Sequence, residues 1–325
     1  MEPVANYKAW LNRFAKLVAV ATFLLIFIGG LVTSTGSGLS VPDWPNTYGQ
    51  FMFSFPLSKM VGGILYEHGH RMIASLVGML TIVLAVWLWL QDRRRWLKWL
   101  GIGALAAVIL QGVLGGITVL YQLPTSISVL HGCLAQAFFA LTLALAVLTS
   151  RSWMQQPEQA LDSSRPGILN LAILTTAAVY TQLIIGAIMR HSGAGLAIPD
   201  FPLAFGKIIP PLESQAVAIH FLHRLGALAV LICICWTVAQ IFRHHRGQPG
   251  LTRPASVLLA ALVLQITLAA FTIWTRKAVI PTTAHVATGA FILATSVFLS
   301  LRAYLLLKSP INEPEATYCV EQPAA

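Results

Sequence analysis

Four histidines, His70, His131, His223 and His285, stand inside long apolar stretches of the chain. An imidazole placed in hydrocarbon is costly, so an ionisable residue in a membrane segment marks function by default. One alone could equally be a hydrogen-bonding residue that glues two helices together. These four come as equivalent pairs, because His70-Arg71 recurs as His223-Arg224 and His131 recurs as His285 when the two halves of the chain are aligned. Two imidazoles facing each other across a four-helix bundle make a natural bis-axial haem site: bundle cores host cofactors and imidazole is a common ligand of haem iron. Pairing within halves sets His70 with His131 and His223 with His285. A zinc or copper ion would want a third ligand nearby, which such pairs do not obviously supply.

The flanking residues differ between the halves. Glu67 precedes His70 by three residues and therefore shares a helical face with it; the matching residue in the second half is His220. A carboxylate at a helix start is favoured by the dipole, and beside a reacting group it can accept a proton or stabilise charge. Arg71 and Arg224 follow the paired histidines; each either snorkels to the interface or meets a haem propionate. His68 points from a different helix face than His70. His244-His245 lies in a basic loop and reads as solvated surface. His191 reads as an outer-loop residue, either polar surface or a group facing a propionate or a redox partner. Asp43 and Asp200, in Pro- and Gly-containing turns, read as loop-holding residues rather than catalysts.

The elements that must position these residues follow from repetition and hydropathy. Residues 36–45 read GSGLSVPDWP and residues 193–202 read GAGLAIPDFP, and Gly49, Gln111 and Thr118 recur as Gly206, Gln265 and Thr272. The chain of 325 residues is 57% hydrophobic and 10% charged, with a mean hydropathy of +0.74. Soluble domains carry about 25% charged residues, so a soluble or a disordered protein is excluded. Eight stretches reach the roughly 20 apolar residues of a membrane span: 16–34, 68–90, 97–120, 127–149, 167–190, 216–242, 255–275 and 281–307. The first carries no A-x-A cleavage site and reads as a span, not a signal peptide. Four spans per half return the chain to its starting side, so the repeats are parallel. The expected fold is an all-α integral membrane protein of eight transmembrane helices in two pseudo-symmetric four-helix bundles. The bundles are residues 1–150 and 167–308, joined by a cytoplasmic linker 151–166 and followed by a flexible Pro/Glu-rich tail, 309–325. The net charge of +10 is a topology signal under the positive-inside rule, not a nucleic-acid footprint. Lys8, Arg13, Lys16, the Arg93-Arg94-Arg95 run, Lys98, Arg151, Arg165, Arg243, Arg246, Arg253, Arg302 and Lys308 gather on one side; Lys59, Arg190, Lys207, Arg276 and Lys277 lie on the other. Both termini are thus expected in the cytoplasm and all four histidines toward the outer face.

At these motifs the sequence resembles the haem A synthase family. The resemblance rests on TGSGLSVPDWP after the first span, Glu67-His68-Gly69-His70-Arg71, Leu130-His131-Gly132, the His-x-x-His-Arg of His220 to Arg224, and the TTAH ending at His285, and it spans essentially all eight helices. It implies an enzyme of the bacterial plasma membrane that oxidises the C8 methyl of haem O to a formyl group by successive hydroxylation and loss of water, giving haem A for terminal oxidases. It also implies that His223 and His285 ligate a resident haem b and that His70 and His131 hold the haem O substrate, with Glu67 as the catalytic or stabilising carboxylate. Some relatives carry cysteine pairs in the outer loops. Here loops 35–67 and 191–215 hold none, and Cys133, Cys233 and Cys235 fall in helices with Cys319 in the tail, so no loop disulfide is expected. Implied partners are membrane lipid, an electron-transfer partner and a haem O-forming farnesyltransferase. The alternative function is a non-enzymatic di-haem b cytochrome, which needs the same histidines but not Glu67. A haem carrier and a small-molecule transporter fit less well.

Overall fold

The computed structural model describes residues 7–308; the expected tail, with Cys319, lies outside the described residues. The first four long helices are α1 (Ala9–Ser34), α2 (Gly63–Gln91), α3 (Arg95–Leu120) and α4 (Thr125–Leu148). A single turn, α5 (Arg151–Met154), and a two-residue strand, β1 (Ala160–Leu161), lead to α6 (Ile168–His191), α7 (Gln215–His244), α8 (Pro249–Trp274) and α9 (Val279–Leu306). The eight long helices have 24 to 30 residues each and are apolar enough to cross a membrane; at 1.5 Å per residue each covers the hydrocarbon thickness. This is a multi-pass membrane protein. Several helices begin well before the apolar stretch that announced them: α1 starts at Ala9 rather than 16, α2 at Gly63 rather than 68, and α8 at Pro249 rather than 255. Hydropathy marks the part in lipid, whereas backbone hydrogen bonding continues through polar turns such as the one carrying Glu67 and His68.

Each half closes into a ring. α1 packs on α2 and α4, and α3 on α2 and α4; α6 packs on α7 and α9, and α8 on α7 and α9. The two expected four-helix bundles are therefore present. They meet where α1 and α4 pack against α9 and α4 against α6. Lipid tails are as apolar as leucine, so close packing and interhelical hydrogen bonds hold such helices together. Leu11, Leu84, Leu88, Leu97 and Leu145 fill the first bundle, and Ile168, Ile234, Ile241, Leu251 and Leu258 the second. Ile26, Phe139, Ala290 and Ala294 fill the seam, where the rings of Phe23 and Phe139 lie 5.5 Å apart. Tyr180 on α6 donates to the Cys133 carbonyl on α4 at 3.2 Å, and the Thr175 and Thr237 hydroxyls pair at 2.8 Å between α6 and α7. Ile82, Val86, Ile109, Val113, Ile232 and Val263 face outward, as a lipid-solvated belt requires.

The start of α1, the end of α9 and the linker share one face. Asn12 Nδ2 donates to the Ala146 carbonyl at 2.7 Å, Gln159 Nε2 donates to the Tyr304 carbonyl at 3.0 Å, and β1 pairs in parallel with β2 (Leu307–Lys308). Asp162 pins the linker. Its carboxylate accepts from the Ser164 amide at 3.0 Å, from the Ile168 amide at 2.7 Å, and lies 3.1 Å from His245 Nε2. Burial opposes ionisation of Asp162, but the hydrogen bonds of Ser164, His245 and the Ile168 amide outweigh it and hold the carboxyl below its usual range. This corrects the reading of His244-His245 as solvated surface: His244 is exposed, but His245 is buried against Asp162. The partner lies far away in sequence, so no local pattern announced it.

Candidate functional site

The two repeated loops on the opposite face are built alike. Asp43 accepts the Tyr48 and Gly49 amides at 2.8 and 2.7 Å; Asp200 accepts the Phe205 and Gly206 amides at 2.7 and 2.8 Å. Tyr48 and Gly49 have φ of 51° and 73°, Phe205 and Gly206 of 55° and 71°. In each loop a left-handed residue precedes a left-handed glycine, which tolerates that conformation freely. Both aspartates hold their loops, as expected from sequence. At Asp43 partial burial works against ionisation, but the Gly49 and Tyr48 amides and Arg71 hold the carboxyl below its usual range. At Asp200 the Gly206 amide leads the same lowering.

Arg71 and Arg224 clamp these loops onto the helices. Arg71 donates to the carbonyls of Val41, Asp43 and Asn46 at 2.8, 2.7 and 3.1 Å and pairs with Glu67 at 2.6 Å. Arg224 donates to the carbonyls of Asp200 and Leu203 at 2.6 and 2.8 Å and reaches Ile198 at 3.4 Å. Glu67 also accepts the Val41 amide at 2.8 Å, and His220 Nδ1 accepts the corresponding Ile198 amide at 3.2 Å. The Glu67/His220 difference therefore preserves one loop contact while placing a negative charge in the first half alone. Among the described residues Glu67 is the one carboxylate in the eight long helices. His68 lies apart from His70 as expected, with Nδ1 3.0 Å from the Thr47 hydroxyl. Gly116 gives the Trp44 indole room on α3; a Cβ there would fall 2.5 Å from the ring.

The four histidines lie on α2, α4, α7 and α9. His70 and His131 lie within electrostatic reach of each other, and so do His223 and His285. Glycines let the rings approach neighbouring backbone. A Cβ at Gly29 would come 3.1 Å from His70 Cε1, at Gly115 3.3 Å from His131 Cε1, and at Gly186 3.0 Å from His223 Cε1. The halves differ in what holds the imidazoles. His223 Nδ1 lies 3.1 Å from Gln182 Nε2, and His285 Nδ1 lies 3.3 Å from the Gln265 carbonyl. His70 Nδ1 and His131 Nδ1 are buried without a hydrogen-bond partner, although Gln111 donates to the His131 carbonyl at 3.1 Å. Sequence reasoning missed Gln182: Leu25 stands at the matching position, and a polar residue in one repeat only was the available signal. Among the described residues no group of three or more His, Cys, Asp or Glu side chains could hold a metal ion. Two imidazoles per bundle without a third donor would hold a haem more readily than a bare tetrahedral ion.

His191 is the last residue of α6 rather than a loop residue, because the helix continues past the apolar stretch. Its carbonyl accepts the Thr125 hydroxyl at 3.3 Å, and its ring lies within electrostatic reach of His131. Cys133, Cys233 and Cys235 are free thiols.

Eight membrane-length helices packed as two four-helix bundles define an all-α multi-pass membrane protein. The chain matches the family model COX15-CtaA, described as cytochrome oxidase assembly protein, over residues 12–297. Similar proteins include a Heme A synthase of Symbiobacterium thermophilum, 33% identical over 78% of this chain and 83% of the relative. A Heme A synthase of Shouchella clausii is 31% identical over 73% and 78%, and one of Geobacillus kaustophilus is 27% identical over 91% and 90%. The chain belongs to the haem A synthase family.

Proposed function

We propose that this chain acts in haem A biosynthesis as a haem A synthase, oxidising the C8 methyl of haem O to a formyl group by successive hydroxylations. The observation that carries the reading is the contrast between the two imidazole pairs. An unpartnered buried nitrogen costs about 1–3 kcal/mol, and His70 and His131 each bear one. A site left unsatisfied suits an exchangeable substrate, haem O. The imidazoles of His223 and His285 lie against Gln182 and Gln265, which contact His223 Nδ1 and both ring nitrogens of His285; rings positioned in advance by neighbouring groups suit a resident cofactor.

On this reading residues 1–150 bind substrate and residues 167–308 bind haem b. Haem b held by His223 and His285 supplies one-electron chemistry. His70 and His131 would hold and orient the substrate. Glu67, fixed by Arg71 and the Val41 amide, supplies the negative charge or the proton acceptor that the second half lacks. The loops clamped by Arg71 and Arg224 exclude water from both sites. A propionate contact by either arginine would compete with the loop carbonyls it already serves. The asymmetry of Lys and Arg supports a plasma-membrane orientation with both termini cytoplasmic and the sites toward the outer face. Substrate, with its apolar tail, reaches the first bundle from the lipid. Converting the methyl to a formyl group removes four electrons and ends in loss of water from the geminal diol. The reaction therefore calls for an external oxidant reached through an electron-transfer partner, and a farnesyltransferase would supply haem O.

A di-haem b cytochrome remains the second reading, favoured by the presence of an imidazole pair in both halves. The test is expression in membranes that make haem O but no haem A and contain a respiratory electron donor, followed by extraction and chromatography of the haems. Hydroxylated and formyl haem are expected; bound haem b with neither product would overturn the synthase reading in favour of the cytochrome.

A further inference from the structure

Arg190 is a partly buried cation that neither repeat explains. It sits in the last turn of α6, inside the seam between the bundles. Its Nη2 donates to the Gly30 carbonyl of α1 at 3.1 Å and to the Ser34 hydroxyl at 3.0 Å. Among the described residues no carboxylate pairs with it: the ion pairs there belong to Arg71, Arg94 and His245. A guanidinium has five N–H donors, and the remainder of this fork has no protein acceptor. Charged groups in such surroundings are paired or bind a ligand.

What surrounds the fork defines what it would hold. Arg190 lies within electrostatic reach of His285. Thr283, two residues before His285, presents a buried hydroxyl without a partner. Thr283 also borders the Gly30 that Arg190 contacts, since a Cβ on Gly30 would lie 3.3 Å from the threonine methyl. A guanidinium fork with free donors and an unpartnered hydroxyl therefore flank the same backbone step at Gly30, and the guanidinium is also the neighbour of one imidazole of the second pair. That combination matches a carboxylate, which takes planar two-point contacts from arginine. Arg71 and Arg224 are occupied with loop carbonyls.

We infer that Arg190, with Thr283, anchors a propionate carboxylate of the haem ligated by His223 and His285. This rests on the haem reading above. Because Arg190 is also bound to α1, the anchor ties the cofactor of the second bundle to the helix that carries Gly29 against His70. The carboxylate neutralises the guanidinium, and the guanidinium raises the haem's midpoint potential by offsetting the propionate charge.

The test uses the full chain carrying His70→Ala and His131→Ala, so that the second site alone is loaded. It is expressed in haem-starved cells and loaded in detergent with haem b or with haem b dimethyl ester. Haem loss to excess apomyoglobin and the midpoint potential are then measured with Arg190 intact, with Arg190→Ala and with Arg190→Lys. Loss of a charge-assisted pair predicts about tenfold or faster release of haem b from Arg190→Ala, a lower midpoint potential, and partial rescue by Arg190→Lys. With the dimethyl ester the arginine and alanine forms should release at the same rate. Equal release of haem b from both forms would overturn the inference. So would an alanine penalty that is the same for acid and ester, since that reports seam packing alone. A parent chain that takes up no bis-imidazole haem at all would overturn the cofactor reading itself, and this inference with it.

Discussion

Replacing Glu67 separates the charge of the first site from its architecture. The Glu67 and Arg71 side chains are 5% and 10% exposed, and the pair is 2.6 Å long, so the interaction is little screened by solvent. Removing one member of a buried ion pair costs about 3–5 kcal/mol when the other is left bare. Arg71 is not left bare, because the carbonyls of Val41, Asp43 and Asn46 still accept from it. Glu67→Gln keeps one acceptor oxygen where there were two, and losing one hydrogen bond to a charged group costs about 2 kcal/mol. Glu67→Ala also orphans the Val41 amide and should cost about 4 kcal/mol. Thermal unfolding in detergent should therefore rank the wild type above the glutamine form and the glutamine form above the alanine form. Both variants should retain the bis-imidazole absorbance of the second half. Chromatography of extracted haems should show little or no formyl product from the glutamine form, although its loops remain attached. A normal yield of haem A from Glu67→Gln would refute the requirement for charge. Equal destabilisation by glutamine and alanine would refute the hydrogen-bond reasoning.

His223→Ala should abolish the absorbance of resident haem b while leaving far-UV dichroism intact; a full bis-imidazole spectrum would show that His223 is not a ligand. Gly116→Ala places a methyl 2.5 Å from the Trp44 ring and should cost about 1–3 kcal/mol through overpacking. The displaced loop should be cleaved faster by protease added from its own side, and wild-type cleavage rates would count against the contact. Asp162 carries the pH dependence. Its carboxyl is lowered in the folded protein, so its stabilisation is complete at neutral pH and is lost as pH falls below about 4. Asp162→Asn should melt below the wild type at pH 7, and the gap should narrow in acid. A gap unchanged by pH would mean that ionisation of Asp162 contributes nothing.

Membrane class, eight helices, duplication and the recurrence of four histidines can all be read from the amino-acid sequence alone. These are legible because hydropathy is a local average and the repeat is a comparison of the chain with itself. The loop roles of Asp43 and Asp200 were equally local, each carboxylate reaching amides five and six residues ahead. Helix ends were less legible, because hydrogen bonding runs past the apolar stretch, as at Ala9 and Pro249. Tertiary structure alone decided which side chains meet across distant segments: His245 on Asp162, Gln182 on His223, Arg71 and Arg224 on loop carbonyls, and Arg190 on Gly30. The helix-to-helix contacts among these depend on how far one helix is rotated and advanced against another, and the others on where a distant loop or linker is laid against a helix. A displacement of one residue turns a helical side chain by roughly 100°, and no composition or spacing within a single helix specifies that rotation.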